Sequence, residues 1–333
     1  MAAIPEPSIT ITSLIDKAHE ERARPPRQHL GCSELGHHCD RWLWLSFRWA
    51  ARENFSGRML RLFRRGQNEE DVIISDLRAI GIDVRGTQER VDFGKHVSGS
   101  IDGIIYYGVP GAEKKKHIAE FKTHSLKSFN ALEKAGVEVH KPQHFTQMQL
   151  YMHGLKIDRA LYIAVCKDDD RIYTERVKYD AALAERLVLK GHAITQADRM
   201  PPPISTDPSW FQCKFCPAYD MCHQSKPTRF ANCRTCAHMT VNDGFHCERW
   251  NADVPAEAQE AGCDEHVIHP DLVPWPMEGS EDGHSVAWTI GGRRVVNGPG
   301  GYKSREILAN PEACGGATAE AIRNAFPGAE VVG

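Results

Sequence analysis

Between residues 55 and 200 the apolar residues switch repeatedly between a helical period and a strand period. "MLRLFRRGQNEEDVIISDLRAI" (59–80) repeats at helical spacing and stops at Gly81. Three strand-like runs follow: "DVRGTQERVDF" (83–93), "VSGSIDGIIYY" (97–107) and "KHIAEFKT" (116–123), the last two joined by the turn-rich "GVPGAEKKK". "PQHFTQMQLYMHGL" (142–155) has Pro at its start and Gly near its end, as a helix would. "RALYIAVCK" and "RIYTERVKY" flank "DDD" and predict a hairpin, and "DAALAERLVLKGHAITQA" predicts a further helix. The order helix, three strands, helix, two strands, helix describes a mixed α/β unit. "MPPPISTDPSW" is a stiff linker, and beyond residue 205 the chain becomes dense in Cys, His, Gly and Pro and weakly periodic. No internal repeat of fixed period is visible.

A chain of 333 residues accommodates one large domain and one or two small modules. At 41% hydrophobic and 26% charged residues it has the composition of an ordinary soluble globular protein. No apolar run is long enough to span a membrane. The start, "MAAIPEPSITITSL", lacks the basic and apolar regions of a signal peptide, so a reducing cytoplasm is expected. Eleven cysteines in that setting suggest metal or cluster ligands rather than disulfides. The net charge of −3 does not point to nucleic acid. Residues 40–66 are different: Arg41, Arg48, Arg52, Arg58, Arg61, Arg64 and Arg65 alternate with Trp42, Trp44, Phe47 and Trp49. That mixture suits a phosphate backbone and stacked bases, and suits equally an amphipathic helix with Trp in the core and Arg outside.

Strand side chains alternate between faces, so Glu120 and Lys122 in "AEFKT" share one face. "GSIDGI" on the preceding strand sets Asp102 among Gly99, Ser100 and Gly103, and pairing through 108–115 would bring Asp102 toward Glu120. Two carboxylates at a sheet end form a hard-oxygen site suited to Mg²⁺ or Mn²⁺, and a neighbouring lysine can orient or deprotonate water. Phosphodiester hydrolysis needs this set: a cation to polarise the phosphoryl oxygen, acidify the attacking water and stabilise the leaving alkoxide. Gln147 and Tyr151 lie i, i+4 on one helix face, and "RRGQNEED" offers Glu69 and Glu70.

An acid-bearing helix, "GSIDG", "EFK" and "QMQLY" occur in the order of the PD-(D/E)XK nuclease superfamily, and the chain resembles its RecB-type branch with a Gln-x-x-x-Tyr motif. The resemblance covers roughly residues 30–225 and implies a restriction-endonuclease-like mixed sheet flanked by helices. It implies that Asp102 and Glu120 bind metal, that Lys122 serves the water, and that Gln147 and Tyr151 shape the active site and contact DNA. The helix carboxylate would be Glu70, or Glu69 if the register differs by one. Arg41, Arg64 and Arg65 are the candidate DNA contacts.

"CKFCPAYDMC" supplies Cys213, Cys216 and Cys222, a thiolate set lacking one member; Cys39 is the candidate fourth, with Cys32 the alternative. A lone early cysteine with a late triplet resembles the iron–sulfur staple of AddB-type nucleases and their CRISPR-associated relatives. That resemblance implies a 4Fe–4S cluster, although four thiolates also suit structural zinc. Joining Cys39 to 213–222 would close a loop around every proposed catalytic residue. The second set, Cys233, Cys236, Cys247 and Cys263, begins with a Cys-x-x-Cys knuckle and is a zinc signature, with His238 or His266 as alternative ligands and His246 nearby. It is expected to stabilise only its own module. Cys166 and Cys314 are read as bystanders.

The expected organisation is a polar leader at 1–30 with one short helix, a nuclease domain closed by the iron–sulfur cluster at 31–225, a zinc module at 226–275, and a small hairpin-and-helix module at 276–333. The expected function is a Mg²⁺- or Mn²⁺-dependent deoxyribonuclease, an exonuclease on DNA ends or single strands. It would act in replication, recombination or repair, with DNA and a helicase or a recombination or replication protein as partners and no membrane. Nuclease-plus-Cys tails of this kind resemble phage-encoded proteins, which would place it in a host cytoplasm. The rival readings are a structure-specific endonuclease and a non-catalytic, zinc-containing DNA-binding scaffold.

Overall fold

The computed structural model describes residues 9–22, 25–280 and 282–332. Residues 1–8, Ala23 and Arg24 of the expected leader, and Glu281 and Gly333 of the expected last module, lie outside the described residues. The chain opens with α1 (Ile11–Glu21), β1 (Leu30–Gly31), α2 (Asp40–Phe47) and the long α3 (Gly57–Ala79). Ser56 caps α3 by accepting the Met59 amide, and Gly81, at φ 83°, takes the left-handed conformation just beyond its end. Then come β2 (Val84–Arg85), β3 (Arg90–Asp92), β4 (Val97–Ser100), β5 (Gly103–Ile105) and β6 (His117–His124). Helices α4 (Leu126–His140) and α5 (Pro142–Leu155), the hairpin β7 (Arg159–Cys166) and β8 (Ile172–Lys178), and α6 (Ala181–Thr195) complete the α/β unit.

The main sheet has the order β2-β5-β6-β7-β8, with β6 and β7 parallel and the other pairs antiparallel. Both its faces are covered. Ala119 and Phe121 of β6 pack with Ile163 and Val165 of β7 against Ile73, Ile74 and Leu77 of α3. Ile118 and Tyr162 belong to the opposite core, with Phe129 and Leu132 of α4 and Met148 and Tyr151 of α5. By strand alternation Glu120, Lys122 and His124 face this second side.

Two elements differ from the sequence reading. The runs 83–93 and 97–107 are not single strands: β2 and β5 join the main sheet, while β3 and β4 join β1 in a separate sheet of order β1-β4-β3. Asp102 sits at the break between β4 and β5, where one strand run passes from sheet to sheet. Helix α4 was not anticipated. Its helical period is interrupted at Gly136, where φ is 76°, and the chain resumes with the Val137 amide donating to Glu175 at 2.8 Å.

The Arg-and-aromatic segment divides. Trp44 and Trp49 are core residues, but Arg48 is buried with them, its guanidinium 4.8 Å from the Trp44 ring and donating to the Ala197 carbonyl. The expected arrangement, Trp inside and Arg outside, therefore holds for Trp44 and Trp49, holds in part for Trp42, which is half-buried, and fails for Arg48.

After α6 the chain forms α7 (Phe211–Lys214), α8 (Tyr219–His223), a small sheet of β9 (Met239–Val241), β10 (Phe245–Cys247) and β11 (Ala252–Asp253), and α9 (Ala256–Gln259). Last come β12 (Met277–Gly279), β13 (Val286–Ile290) and β14 (Arg293–Asn297), a third sheet, with α10 (Ser304–Ala309) and α11 (Ala317–Ala325). The Cys-rich region shares its core with the α/β unit: Met239, Val241 and Phe245 belong to the same apolar cluster as Leu43, Trp44 and Phe47. Arg234 fastens the two. It is buried, donates to the carbonyls of Phe47 and Gln28, and lies 3.8 Å from the Trp49 ring centre and 4.0 Å from that of Phe245. The knuckle segment is thus joined to the α/β unit through Arg234.

Candidate active site

Asp102, Glu120 and Lys122 meet at the sheet break. Asp102 Oδ2 accepts the backbone amide of Phe121 at 2.8 Å and lies 3.4 Å from Lys122 Nζ. Lys122 also donates to the Phe121 carbonyl at 3.0 Å and forms an ion pair with Glu120. Glu120 is fully buried; Lys122 is the one partner of its Oε1, and Oε2 has no hydrogen-bond partner among the described residues. A buried carboxylate held only by one ion pair is expensive, and several lone pairs are left for another ligand. Burial raises the Glu120 pKa, against the opposing charge of Lys122. Burial works to lower that of Lys122, yet Glu120 and Asp102 hold it above the usual lysine range.

Of the two α3 acids, Glu70 is the one coupled to this group. Its pKa is pushed up to about 7 by burial and then by Asp102, with Lys122 opposing. A proton is shared more readily than a second negative charge when carboxylates crowd together, and a divalent cation would reverse that preference. The acids and their unsatisfied oxygens therefore fit Mg²⁺ or Mn²⁺. Among the described residues no group of three or more His, Cys, Asp or Glu side chains forms a ready-made ligand set.

Gln147 and Tyr151 are buried on α5. Gln147 Nε2 donates to Tyr151 Oη at 3.2 Å, and Tyr151 donates to the Ser100 carbonyl at 2.8 Å. They hold the backbone two residues before Asp102. Gly99 permits this approach: a Cβ there would stand 2.8 Å from Tyr151 Oη. The same Cβ would lie 2.9 Å from Cys32 Cβ, so Cys32 packs here, beside Tyr151.

Three residues of this region went unmentioned in the sequence reading. His124 follows Lys122 in the β6 alternation, Tyr162 is the register partner of Glu120 on β7, and His144 lies three residues before Gln147 on α5. Tyr162 Oη stands 2.9 Å from both His124 Nε2 and His144 Nδ1. The signal was available as strand and helix spacing from residues already singled out.

Arg64 and Arg65 are exposed on α3, and Arg65 donates to the Lys167 carbonyl at 3.0 Å. Arg41 is placed differently: its Nε donates to the Pro201 carbonyl at 2.8 Å, and its charge acts on Cys222.

Cys39, at the N-terminal cap of α2, lines one small pocket with Cys213, Cys216 and Cys222. Burial raises the Cys216 thiol to about 11, and Cys222, Cys39 and Cys213 add to it. Four thiols lining one apolar pocket have the donor chemistry of a thiolate-bound centre, whose binding would displace the protons, but among the described residues they do not stand as a ready-made ligand group. Cys233, Cys236, Cys247 and Cys263 also act on one another, burial holding Cys233 at about 11 and Cys236 at about 12. The nearby histidines make hydrogen bonds of their own. His266 Nδ1 bonds Ser304 and its Nε2 meets Thr235 and the Asn232 carbonyl; His238 meets the His284 carbonyl; His246 meets Asp253. His266 alone of these is engaged at both ring nitrogens, so the four cysteines, with His238 as an alternative, stay the candidate zinc set.

No helix among the described residues is long and apolar enough to cross a membrane. No family model matches the chain, and no curated protein matches it. Among solved structures it is similar to SSO0001, at 16% identity and a TM-score of 0.41, over 64% of this chain and 95% of the other. It is similar to an alkaline exonuclease, LHK-Exo, from Laribacter hongkongensis, at 15% identity and a TM-score of 0.36, over 54% of this chain and 90% of the other. A phage-related exonuclease from Haemophilus somnus 129PT is 21% identical, with a TM-score of 0.33, over 50% of this chain and 92% of the other.

Proposed function

We propose that the chain is a Mg²⁺- or Mn²⁺-dependent deoxyribonuclease of the PD-(D/E)XK type, acting on DNA ends or single strands. The observation that carries the reading is Glu120: a fully buried carboxylate beside Asp102, with Oε1 met only by Lys122 and Oε2 without a hydrogen-bond partner among the described residues. Asp102, Glu120 and Glu70 would hold the cation, which when bound supplies Lewis-acid activation of the phosphoryl group and a more acidic water. Lys122, fixed on three sides by Asp102, Glu120 and the Phe121 carbonyl, orients the attacking water and neutralises charge on the phosphoryl oxygens. Gln147 and Tyr151 fix the Ser100 backbone and through it Asp102. Exposed Arg64 and Arg65 supply phosphate contacts.

In this reading Cys39, Cys213, Cys216 and Cys222 hold a 4Fe–4S cluster, and Cys233, Cys236, Cys247 and Cys263 hold zinc. The test is digestion of 5′- and 3′-end-labelled single- and double-stranded DNA with Mg²⁺, Mn²⁺ or chelator. Cation-dependent release of nucleotides or short fragments is expected. Tight DNA binding without cleavage under any cation would favour the scaffold instead.

A further inference from the structure

Beside Lys122 a continuous hydrogen-bonded chain runs from α5 to the end of α4. His144 Nδ1 meets Tyr162 Oη at 2.9 Å, and Tyr162 Oη meets His124 Nε2 at 2.9 Å. His124 Nδ1 meets Ser128 Oγ at 3.0 Å, and Ser128 Oγ meets His140 Nε2 at 3.2 Å. His124 is buried; Ser128, His140 and His144 are partly exposed. The imidazoles are neutral in this setting. Burial, then Lys141, His140, Lys122 and Lys167, lower His124 to about 4. Burial, then Lys122, His124, Lys141 and His140, lower His144 to about 2.

A neutral imidazole has one donor and one acceptor nitrogen, and each hydroxyl has one proton. Two arrangements therefore satisfy every link. In the first, His140 donates to Ser128, Ser128 to His124, His124 to Tyr162 and Tyr162 to His144, which leaves His144 with its proton on Nε2. In the second every bond is reversed, and His144 Nε2 carries a lone pair. Shifting one proton along each of the four links, with one proton leaving His144 Nε2 and one entering at His140 Nδ1, converts the first into the second and leaves every group neutral.

His144 Nε2 has no hydrogen-bond partner among the described residues, and His144 lies on the α5 face of Gln147 and Tyr151, spaced i, i+3 and i+7. Tyr162 in turn is the strand partner of Glu120. We propose that His144 is the general acid that protonates the leaving oxygen of the cleaved phosphodiester, and that Tyr162, His124, Ser128 and His140 resupply its proton from the surface. This rests on the nuclease reading above.

The step balances. The bond between phosphorus and the leaving oxygen breaks, and its electron pair stays on that oxygen, which takes the Nε2 proton of His144. His144 Nδ1 takes the Tyr162 proton, Tyr162 takes that of His124 Nε2, His124 Nδ1 takes that of Ser128, and Ser128 takes that of His140 Nε2. His140 Nδ1 takes a proton from solvent, while the attacking water forms the new bond to phosphorus and releases a proton to solvent; before the next turnover every link shifts back, with solvent returning a proton to His144 Nε2 and His140 Nδ1 releasing one. His144 is the catalytic residue, and the other four act through it.

The test uses the full-length protein in Mn²⁺ and strands whose scissile leaving oxygen is replaced by bridging sulfur, prepared at the 3′ or the 5′ position. A thiolate leaves without protonation. On oxygen substrates His144→Gln is expected to lower kcat by about 100-fold and Ser128→Ala by about 10-fold, with KM little changed. On the sulfur substrate cleaved by the wild type, both variants are expected within roughly threefold of it, because no acid is needed. Equal losses on oxygen and sulfur would overturn the relay and make His144 a packing residue. Ser128 is partly exposed, so its alanine variant keeps the comparison open if His144→Gln unfolds, as read by its melting curve. A wild type inactive on every substrate would overturn the nuclease reading itself, an outcome distinct from equal losses in an active enzyme.

Discussion

The carboxylate of Asp102 accepts the backbone amide of Phe121, the amide that lies between Glu120 and Lys122 in the chain. One side chain thus ties the sheet break to β6 and places its charge beside both neighbours. The two roles separate by substitution. Asn at 102 keeps an oxygen for the Phe121 amide and removes the charge; Ala removes both. Asp102→Asn is expected to melt near the wild type and to cleave at least about 100-fold more slowly, as loss of a cation ligand would require. Asp102→Ala should in addition lose about 1–3 kcal/mol of stability through the orphaned amide. Denaturant melts and end-labelled cleavage on the two variants measure this; wild-type cleavage by Asp102→Asn would make Asp102 a purely structural residue.

Lys122 is expected to matter for turnover more than for binding. It is held by Asp102, Glu120 and the Phe121 carbonyl, so its ammonium is fixed before substrate arrives. Such a group acts mainly in the transition state. Lys122→Met should lower kcat by at least about 100-fold while DNA affinity changes by less than about fivefold. It also leaves Glu120 buried and unpaired, so the variant should lose stability that Glu120→Gln in the same chain restores without restoring cleavage. A fall in affinity with unchanged turnover at saturation would reduce Lys122 to a phosphate contact.

The site strand was legible because its evidence is local. β6 alternates, is bounded by turns, and carries its acid and base two residues apart. Asp102 was found by its glycine neighbours, but its position at a crossing between two sheets was not, since 97–107 reads as one continuous strand. Helix α4 was hidden by Gly136, whose positive φ interrupts the period that defines a helix. The burial of Arg48 ran against the amphipathic reading of its segment, and that of Arg234 had no sequence signal. A charged residue is assigned to the surface by default, and only the assembled aromatic rings and distant carbonyls that receive these guanidinium groups make burial tolerable. His124, His144 and Tyr162 come from three separate elements, and no short sequence window contains them together.

Acid should weaken the contact between α2 and the Cys-rich region through His269. Its ring packs edge-on against Trp44, its Nε2 donates to the Asp198 carbonyl at 2.9 Å, and its Nδ1 accepts the Asp271 amide at 3.2 Å. Only the neutral ring can make both bonds. Burial and then Arg48 lower its pKa to about 4, against the opposing Asp271. The unfolded chain, at about 6.5, takes up the proton first, so this stability is fully present above about pH 6.5 and is lost as pH falls toward 4. The loss amounts to about 3 kcal/mol at most. Urea melts at pH 7.5, 6 and 5 should show a shallower pH dependence for His269→Gln than for the wild type; identical slopes would remove His269 from the acid response.

The two cysteine sets should differ in the metal they hold and agree in what they stabilise. Cys39 caps α2 at its start, and Arg234, between the knuckle residues Cys233 and Cys236, is bound at the other end of α2 through the Phe47 carbonyl. Its guanidinium is also received by Gln259 and Gln28 and lies over Trp49 and Phe245. Loosening the knuckle displaces Arg234 from a buried position where no water can replace its partners, so the strain reaches the α/β unit. Cys216→Ala is expected to remove iron, sulfide and absorbance near 400 nm while leaving zinc. Cys236→Ala should remove zinc, keep colour under anaerobic purification, and still lower the melting temperature of the whole chain in one transition. Arg234→Met tests the link without touching a ligand: it should retain zinc and iron and lose about 3 kcal/mol or more of stability. Metal analysis and calorimetry on the three variants decide the matter. A second, unshifted transition in Cys236→Ala would make the zinc module independent, and zinc at both sites without sulfide would replace the iron–sulfur assignment while leaving the nuclease residues where they are.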